Sequence, residues 1–189
     1  MFKNLVLKNR SYRRFYEDAY FTMDTLRELV DLARLSPSGA NRQCLKFYLS
    51  AGEKNEKIFE CLSWAGYLTD WPGPEPGERP AAYIVVLDDL NIGKSIDADA
   101  GIACQTILLG AVEKGFGGCM FGAVDRKKMA ASLQLPKNLE INLVIALGKP
   151  KEEIALETVG ADGDIKYWRD ERKVHHVPKR ELDEICVNC

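Results

Sequence analysis

Ala81-Ala82-Tyr83-Ile84-Val85-Val86-Leu87 is a nearly continuous apolar run rich in β-branched side chains, the composition of a strand buried on both faces. Such a strand needs a covering layer above and another below, which the rest of the chain must supply. Downstream, Ala98 to Lys114 carries Ile102, Ala103, Cys104, Ile107, Leu108, Leu109, Ala111 and Val112 around most of a helical circumference. That pattern predicts a core helix, with Gly115 placed to end it in a left-handed cap. Cys119-Met120-Phe121 and Ile141-Asn142-Leu143-Val144-Ile145-Ala146-Leu147 predict further strands, joined through a short helix that Asp125 can cap. Upstream, Thr22 can cap a helix running to Leu35, with Leu26, Leu29, Val30 and Ala33 on one side and Arg27, Glu28, Asp31 and Arg34 on the other. Ile58, Cys61, Leu62 and Ala65 suggest another helix over Glu53 to Ala65. The class is α+β, with helices packed around a small central β-sheet.

The chain has 189 residues with 46% hydrophobic content, enough to bury the core of one compact domain spanning 1–189. Its 28 acidic and 26 basic residues leave a formal charge of −2, which gives no global drive toward nucleic acid or anionic membrane. No apolar run is long enough to span a bilayer, and the N-terminus meets a charge before any signal-like core develops, so the expected location is the cytoplasm. The six cysteines, Cys44, Cys61, Cys104, Cys119, Cys186 and Cys189, lie mostly in core-like patterns and are expected reduced. Cys186-Val187-Asn188-Cys189 has C-x-x-C spacing but neither a second pair for zinc nor the strand-to-helix setting of a redox motif. His175-His176 sits among charges, where solvent exposure or a local hydrogen bond is the expectation; no metal site is expected.

Three clusters carry chemistry. Arg10-Ser11-Tyr12-Arg13-Arg14-Phe15 places three guanidinium groups and a serine hydroxyl within five residues; arginine grips phosphate oxygens through paired charge-assisted hydrogen bonds. A solvated N-terminal turn would show the same charges. Ser36-Pro37-Ser38-Gly39-Ala40-Asn41-Arg42-Gln43 offers polar side chains at a helix end, with a proline to stop the helix and a glycine to permit unusual φ; an ordinary helix-to-strand turn fits it too. Gly115-Phe116-Gly117-Gly118-Cys119-Met120-Phe121-Gly122 follows a helix and precedes a strand, the reverse of a dinucleotide fingerprint, but its glycines would let backbone amides approach a planar ligand.

Taken in order, these clusters resemble the FMN-dependent nitroreductases and their iodotyrosine-deiodinase-like relatives. Arg10-Ser11-x-Arg13-x-Phe15 is similar to the family's R-S-x-R-x-F signature, and Ser36-Pro37-Ser38-Gly39-Ala40-Asn41-x-Gln43 to its S-P-S-x-x-N-x-Q loop. Asp97 through Cys119 resembles its central helix and glycine-rich exit, and Val177-Pro178-Lys179-Arg180 a basic element near its C-terminus. The resemblance implies a three-layer fold that forms a homodimer with FMN at the subunit interface. It implies that Arg10 and Ser11 hold the FMN phosphate, helped by Lys179 and Arg180, while Arg13 lies near the pyrimidine edge. There a fixed cation stabilises the charge that reduction places on the ring. Pro37, Ser38, Gly39 and Asn41 would shape the pocket around the ribityl chain and ring. Met120, Phe121 and Gly122 would cover one ring face, with a backbone amide near Gly122 directed at N5.

The activity so implied is electron transfer from NAD(P)H through FMN to a nitroaromatic, quinone or other electrophile, with ping-pong kinetics and no catalytic side chain of the protein's own. Reductive dehalogenation, oxygen-using flavin chemistry and non-catalytic flavin storage are the alternatives on the same scaffold. The chain departs from the pattern at Asn9, where many members have a second arginine, and at Cys44-Leu45, where Pro-Trp is frequent. Four prolines between Trp71 and Pro80 exclude regular structure there, and the segment at about 64–80 is expected to form a lid in which Tyr67 or Trp71 meets substrate or merely anchors the loop.

Overall fold

In the computed structural model, which describes residues 2–187, the apolar run becomes β3 (Ala82–Asp89), buried from Ala82 through Asp88. It lies between β2 (Leu45–Ser50) and β5 (Leu139–Pro150), antiparallel to both; Val85 stands opposite Tyr48 on one side and Val144 on the other. The outer edge of β5 is shared. β4 (Gly117–Phe121) pairs with Val144 to Gly148, and the two-residue β1 (Phe15–Tyr16) takes Lys149 and Pro150.

Alternation along β3 divides it between two cores. Ala82, Ile84 and Val86 pack with Leu26 and Leu29 of α2 (Met23–Arg34) and with Ala103, Cys104 and Ile107 of α4 (Asp97–Glu113). Tyr83, Val85 and Leu87 face the other way, against Ile58 of α3 (Asn55–Phe59) and Met129 of α5 (Arg126–Ser132). A helix layer, a sheet and a second helix layer result, the three-layer α+β arrangement that the resemblance implied.

Local signals set the helix ends. The Thr22 hydroxyl accepts from Thr25 N at 2.9 Å, and the Asp125 carboxylate from Lys128 N at 3.0 Å, each satisfying one first-turn donor. At the far end of α4, Gly115 has φ +81°, Phe116 N donates to Ala111 O at 2.8 Å and Gly115 N to Val112 O at 3.0 Å. This is a Schellman cap, and its left-handed residue is the glycine expected there.

Two regions differ from expectation. The helix predicted over Glu53 to Ala65 is only α3, because the chain beyond Glu60 pairs with another segment: Asp125 N donates to Cys61 O at 2.9 Å, Ser63 N to Ala123 O at 3.0 Å, and Leu62 bridges Val124. Those backbone partners replace the intrahelical ones. The polar C-terminal region forms a second sheet, in which β8 (His175–Lys179) runs parallel to β6 (Ile154–Thr158) and antiparallel to β7 (Trp168–Arg169). Short helices flank the fold, α1 (Phe2–Lys8) and α6 (Leu182–Ile185), and neither has a buried residue. No helix of the described residues is long and apolar enough to cross a membrane. Cys44, Cys61, Cys104 and Cys119 are buried free thiols and Cys186 is partly exposed; Cys189 lies outside the described residues. Burial pushes the Cys104 thiol up to about 12 and raises Cys119 as well, so neither is a thiolate near neutral pH.

Candidate functional site

The Arg10–Arg13 segment lies against β4, which begins with two glycines. A Cβ on Gly117 would stand 2.6 Å from the Tyr12 ring, and one on Gly118 2.4 Å from the Ala146 carbonyl oxygen. With that space free, Ser11 bridges Gly118 and Tyr12 N donates to Gly118 O at 3.1 Å. Gly117 thus makes room for the Tyr12 ring, and Gly118 for the close approach of β5, while Gly118 also lines the cavity beside this segment.

Arg10, Ser11, Arg13, Met120 and Lys179 come together around one cavity of about 330 Å³, completed by Asn9, Gln105, Leu108, Gly118, Tyr167, His175 and Val177. Among the described residues it is lined by three cationic side chains and no carboxylate, a charge pattern that favours an anion. The arginines are held from behind. Arg10 Nη2 donates to Val6 O at 2.8 Å, while its buried Nε has no partner. Arg13 donates through Nη1 to Ser11 O at 3.1 Å, and its guanidinium carbon lies 4.9 Å from the centre of the Tyr167 ring. Its backbone N–H donates to Glu152, a buried carboxylate that also accepts from Arg14 N at 3.3 Å and from Arg169 Nη2 at 3.1 Å. Arg14 points elsewhere, gripping Glu78 through two 2.6 Å hydrogen bonds that, with help from Lys151, hold the Glu78 carboxyl down to about 2. Asn9 Nδ2 donates to Gln105 Oε1 at 3.2 Å and ties this segment to α4.

His175 is only 1% exposed, and neither ring nitrogen has a hydrogen-bond partner. Desolvation, then the positive charge of Arg13 and Arg169 with His176 alongside, holds its pKa down to about 4, so it is neutral at pH 7. The expectation of an exposed or locally bonded residue is corrected here: pairing between β6 and β8 buries His175 against the cavity, whereas His176 stacks on Trp168 at 4.0 Å and bonds Glu157.

The loop predicted to shape the pocket sits elsewhere. Pro37 and Ser38 line a separate cavity of about 230 Å³ with Gln43, Asp99 and Ala103, and Gly39 and Asn41 belong to a 3-10 turn. The unusual φ values fall on Ala40 (51°), Asn41 (54°) and Gln43 (54°) rather than on Gly39. Strain concentrated on non-glycine residues is typical of ligand-binding backbone. Gly39 packs closely on Ile96, whose Cδ1 a Cβ there would meet at 2.8 Å, so a larger residue would have to displace that side chain. The turn is fastened by Asp99, whose buried carboxylate accepts from Gly39 N at 2.7 Å and Ile96 N at 3.2 Å.

Gln105 and Leu108 reach the cation-lined cavity while Asp99 and Ala103 reach the other, and at 100° per residue these pairs stand about 120–180° apart around α4. The two predicted halves of the site thus lie on different faces of one helix. Alternation along β4 likewise separates neighbours: Met120 lines the cavity, whereas Phe121 is buried on the opposite face with its ring 4.7 Å from that of Trp64. Gly122 follows β4 and is exposed, and Arg180 pairs with Glu184 at 3.5 Å outside the cavity. In the 64–80 segment, Tyr67 packs 4.9 Å from the cavity-lining Tyr167, and Trp71 lies between Trp64 and the Arg169 guanidinium. Sequence reading missed His175, Tyr167, Gln105 and Asp99; of these only Asp99 left a local signal, an acid in the first turn of an otherwise apolar helix.

Among known proteins, the model of the nitroreductase family matches residues 6–68 and 76–149. An Archaeoglobus fulgidus protein, a candidate NADH dehydrogenase/NAD(P)H nitroreductase, is 27% identical over 149 residues, 74% of this chain and 80% of its own. A nitroreductase family protein of Streptococcus pneumoniae TIGR4 superposes with a TM-score of 0.73 at 16% identity, covering 100% of each chain. A candidate nitroreductase of Desulfovibrio desulfuricans, crystallised with FMN, gives 0.71 at 19% identity over 100% of this chain and 96% of its own.

Proposed function

The chain belongs to the nitroreductase family, and on that premise we propose that it is an FMN-dependent oxidoreductase that takes electrons from NAD(P)H and gives them to a nitroaromatic, quinone or other electrophilic acceptor. The observation that carries this reading is the cavity walled by Arg10, Arg13 and Lys179 without an opposing carboxylate. Its buried, unpartnered Arg10 Nε and His175 nitrogens are groups that a phosphate- and carbonyl-bearing ligand would satisfy. The complex of the Desulfovibrio desulfuricans relative with FMN supports that choice of ligand.

Arg10, Ser11 and Lys179 would hold the phosphate through charge-assisted hydrogen bonds. Arg13, fixed by Ser11 O and by Glu152 behind it, supplies positive potential for the pyrimidine edge. Met120 and Leu108 exclude water from the apolar part of the cavity. FMN, when bound, would supply the two-electron carrier, so the reaction would need no protein nucleophile.

Pro37, Ser38, Gly39 and Asn41 belong to this reading only if a second copy presents them, because within one chain they face the other side of α4. A homodimer whose two flavin sites each combine the cation wall of one chain with the 36–43 loop of its partner meets that requirement. Exposed apolar side chains beside the loop and on α4, Leu35, Ile96 and Ile102, are available for such an interface. The 64–80 segment, docked through Tyr67 on Tyr167, would form the rim over which the acceptor enters.

The test is spectroscopic. The purified protein should be yellow or take up FMN, and NADH or NADPH under argon should bleach it, with a nitroaromatic or quinone restoring the colour. A chain that stays colourless after incubation with FMN ends this reading; a flavin that resists both donors ends its oxidoreductase part.

A further inference from the structure

We infer that the buried imidazole of His175 is a direct ligand of the FMN phosphate and takes up a proton when that phosphate enters the cavity. The inference rests on the FMN reading above and goes beyond it in naming a group outside the basic clusters, together with a proton that accompanies binding. Three observations converge on His175. It is buried to within 1% of full coverage, both ring nitrogens lack partners, and it lines the cavity shared by Arg10, Ser11 and Lys179. A core histidine with purely structural duties would bond at least one ring nitrogen to the protein. This one is fastened through its backbone, where His175 N donates to Glu153 O at 2.9 Å, and through ring packing against Tyr167 at 5.2 Å.

The charged and titratable groups around the imidazole are Arg13 from the segment before β1, Arg169 and Tyr167 from β7 and its approach, and His176 on its own strand. The positive ones oppose protonation, and with burial they keep the ring neutral above a pKa of about 4. A phosphate dianion beside the ring reverses that balance. Protonation draws a proton from solvent and gives the ligand one more charge-assisted donor. The sign follows from linkage: the pKa in the complex lies above that of the ligand-free protein, so the His175 contribution is present below the bound-state pKa and fades as pH rises through it. Above a pH of about 6, where the phosphate stays dianionic, FMN affinity should therefore fall with rising pH, by at most tenfold per unit.

Riboflavin, which shares the ring and ribityl chain but lacks phosphate, separates this role from any other. In His175→Phe, which keeps an aromatic ring against Tyr167 and removes the nitrogens, FMN should bind about tenfold or more weakly, riboflavin should bind as in the wild type, and the pH slope for FMN should vanish. Equal loss for both flavins, or unchanged FMN affinity and slope, overturns the assignment of His175 and leaves the FMN reading standing. A wild-type chain that binds neither flavin overturns both. Should His175→Phe fail to fold, nitrogen-15 NMR of the wild type decides the matter, since the chain has two histidines: FMN, but not riboflavin, must convert the His175 ring signals to the imidazolium pattern, and their staying neutral overturns the assignment.

Discussion

The cation-lined cavity and the 36–43 loop were equally conspicuous as clusters of residues, and they fold by different means. The cavity wall is an electrostatic construction: Arg10, Arg13 and Lys179 come from opposite ends of the chain and are braced by Val6 O, Ser11 O and buried Glu152. The loop is a steric one: its left-handed residues Ala40, Asn41 and Gln43 lie in a turn closed by its own hydrogen bonds, Asn41 N to Ser38 O and Gln43 N to Ser38 Oγ, and anchored to α4 where Asp99 accepts from Gly39 N. A wall of charges can wait for its anion with little strain, whereas a strained loop persists only while its fastening does. Because α4 stands between them, the two can share a ligand only across a subunit boundary.

The sharpest way to break that conclusion is complementation, which has an all-or-none outcome. Arg10→Ala should weaken FMN retention by about 1.5–3 kcal/mol, and Arg10→Ala/Lys179→Ala in one chain should empty its wall. Ser38→Ala/Asn41→Ala disables the loop of another. Neither variant alone should retain FMN, but co-refolded mixed dimers should recover one intact site of two, seen as half the flavin content per dimer. Recovery of no flavin would show that wall and loop serve the same chain.

A smaller effect tests the fastening. Asp99→Ala leaves the Gly39 and Ile96 N–H groups without that acceptor in a partly buried setting, costing about 1–2 kcal/mol and lowering the melting temperature by roughly 2–8 °C for a chain of this size. Phosphate-dependent anion binding at the wall should be spared; a matching loss there would mean that the two regions are not independent. The smallest effect is expected from Ala40→Gly. It relieves a φ of 51° and should raise the ligand-free melting temperature by an amount worth less than about 1 kcal/mol, while leaving the loop less ordered for any partner. A melting temperature that falls would place the strain elsewhere.

What could be read in advance divides along the same line of local against distant causes. The strand Ala82–Asp89, the helix Asp97–Glu113, the Gly115 cap and the Thr22 and Asp125 caps are encoded by neighbours in sequence, and each was legible. The truncation of α3 was not, because Cys61 and Ser63 are captured by residues sixty or more positions away. The C-terminal sheet was hidden for the same reason: nothing around His175 is apolar enough to announce burial, which is imposed by β6 and by Tyr167. In the wall, Arg10, Ser11 and Arg13 were visible as charges, but the separation of Met120 from Phe121 follows from the two-residue period of a strand. That period was available from the moment Cys119-Met120-Phe121 was read as one. No single-chain pattern could reveal that the loop faces away from the wall.

Glu152 has a consequence in time as well as in space. One buried carboxylate collects the Arg13 and Arg14 amides from the beginning of the chain and the Arg169 guanidinium from near its end, and the cavity it braces is closed by His175 and Lys179. During synthesis the first arginines leave the ribosome early and must wait for almost the whole polypeptide before their counterpart wall exists. On the reading that this cavity holds FMN, cofactor loading would wait until β8 has been made, and a product truncated before β8 would retain its apolar sheet yet lack the His175 and Lys179 wall of the cavity.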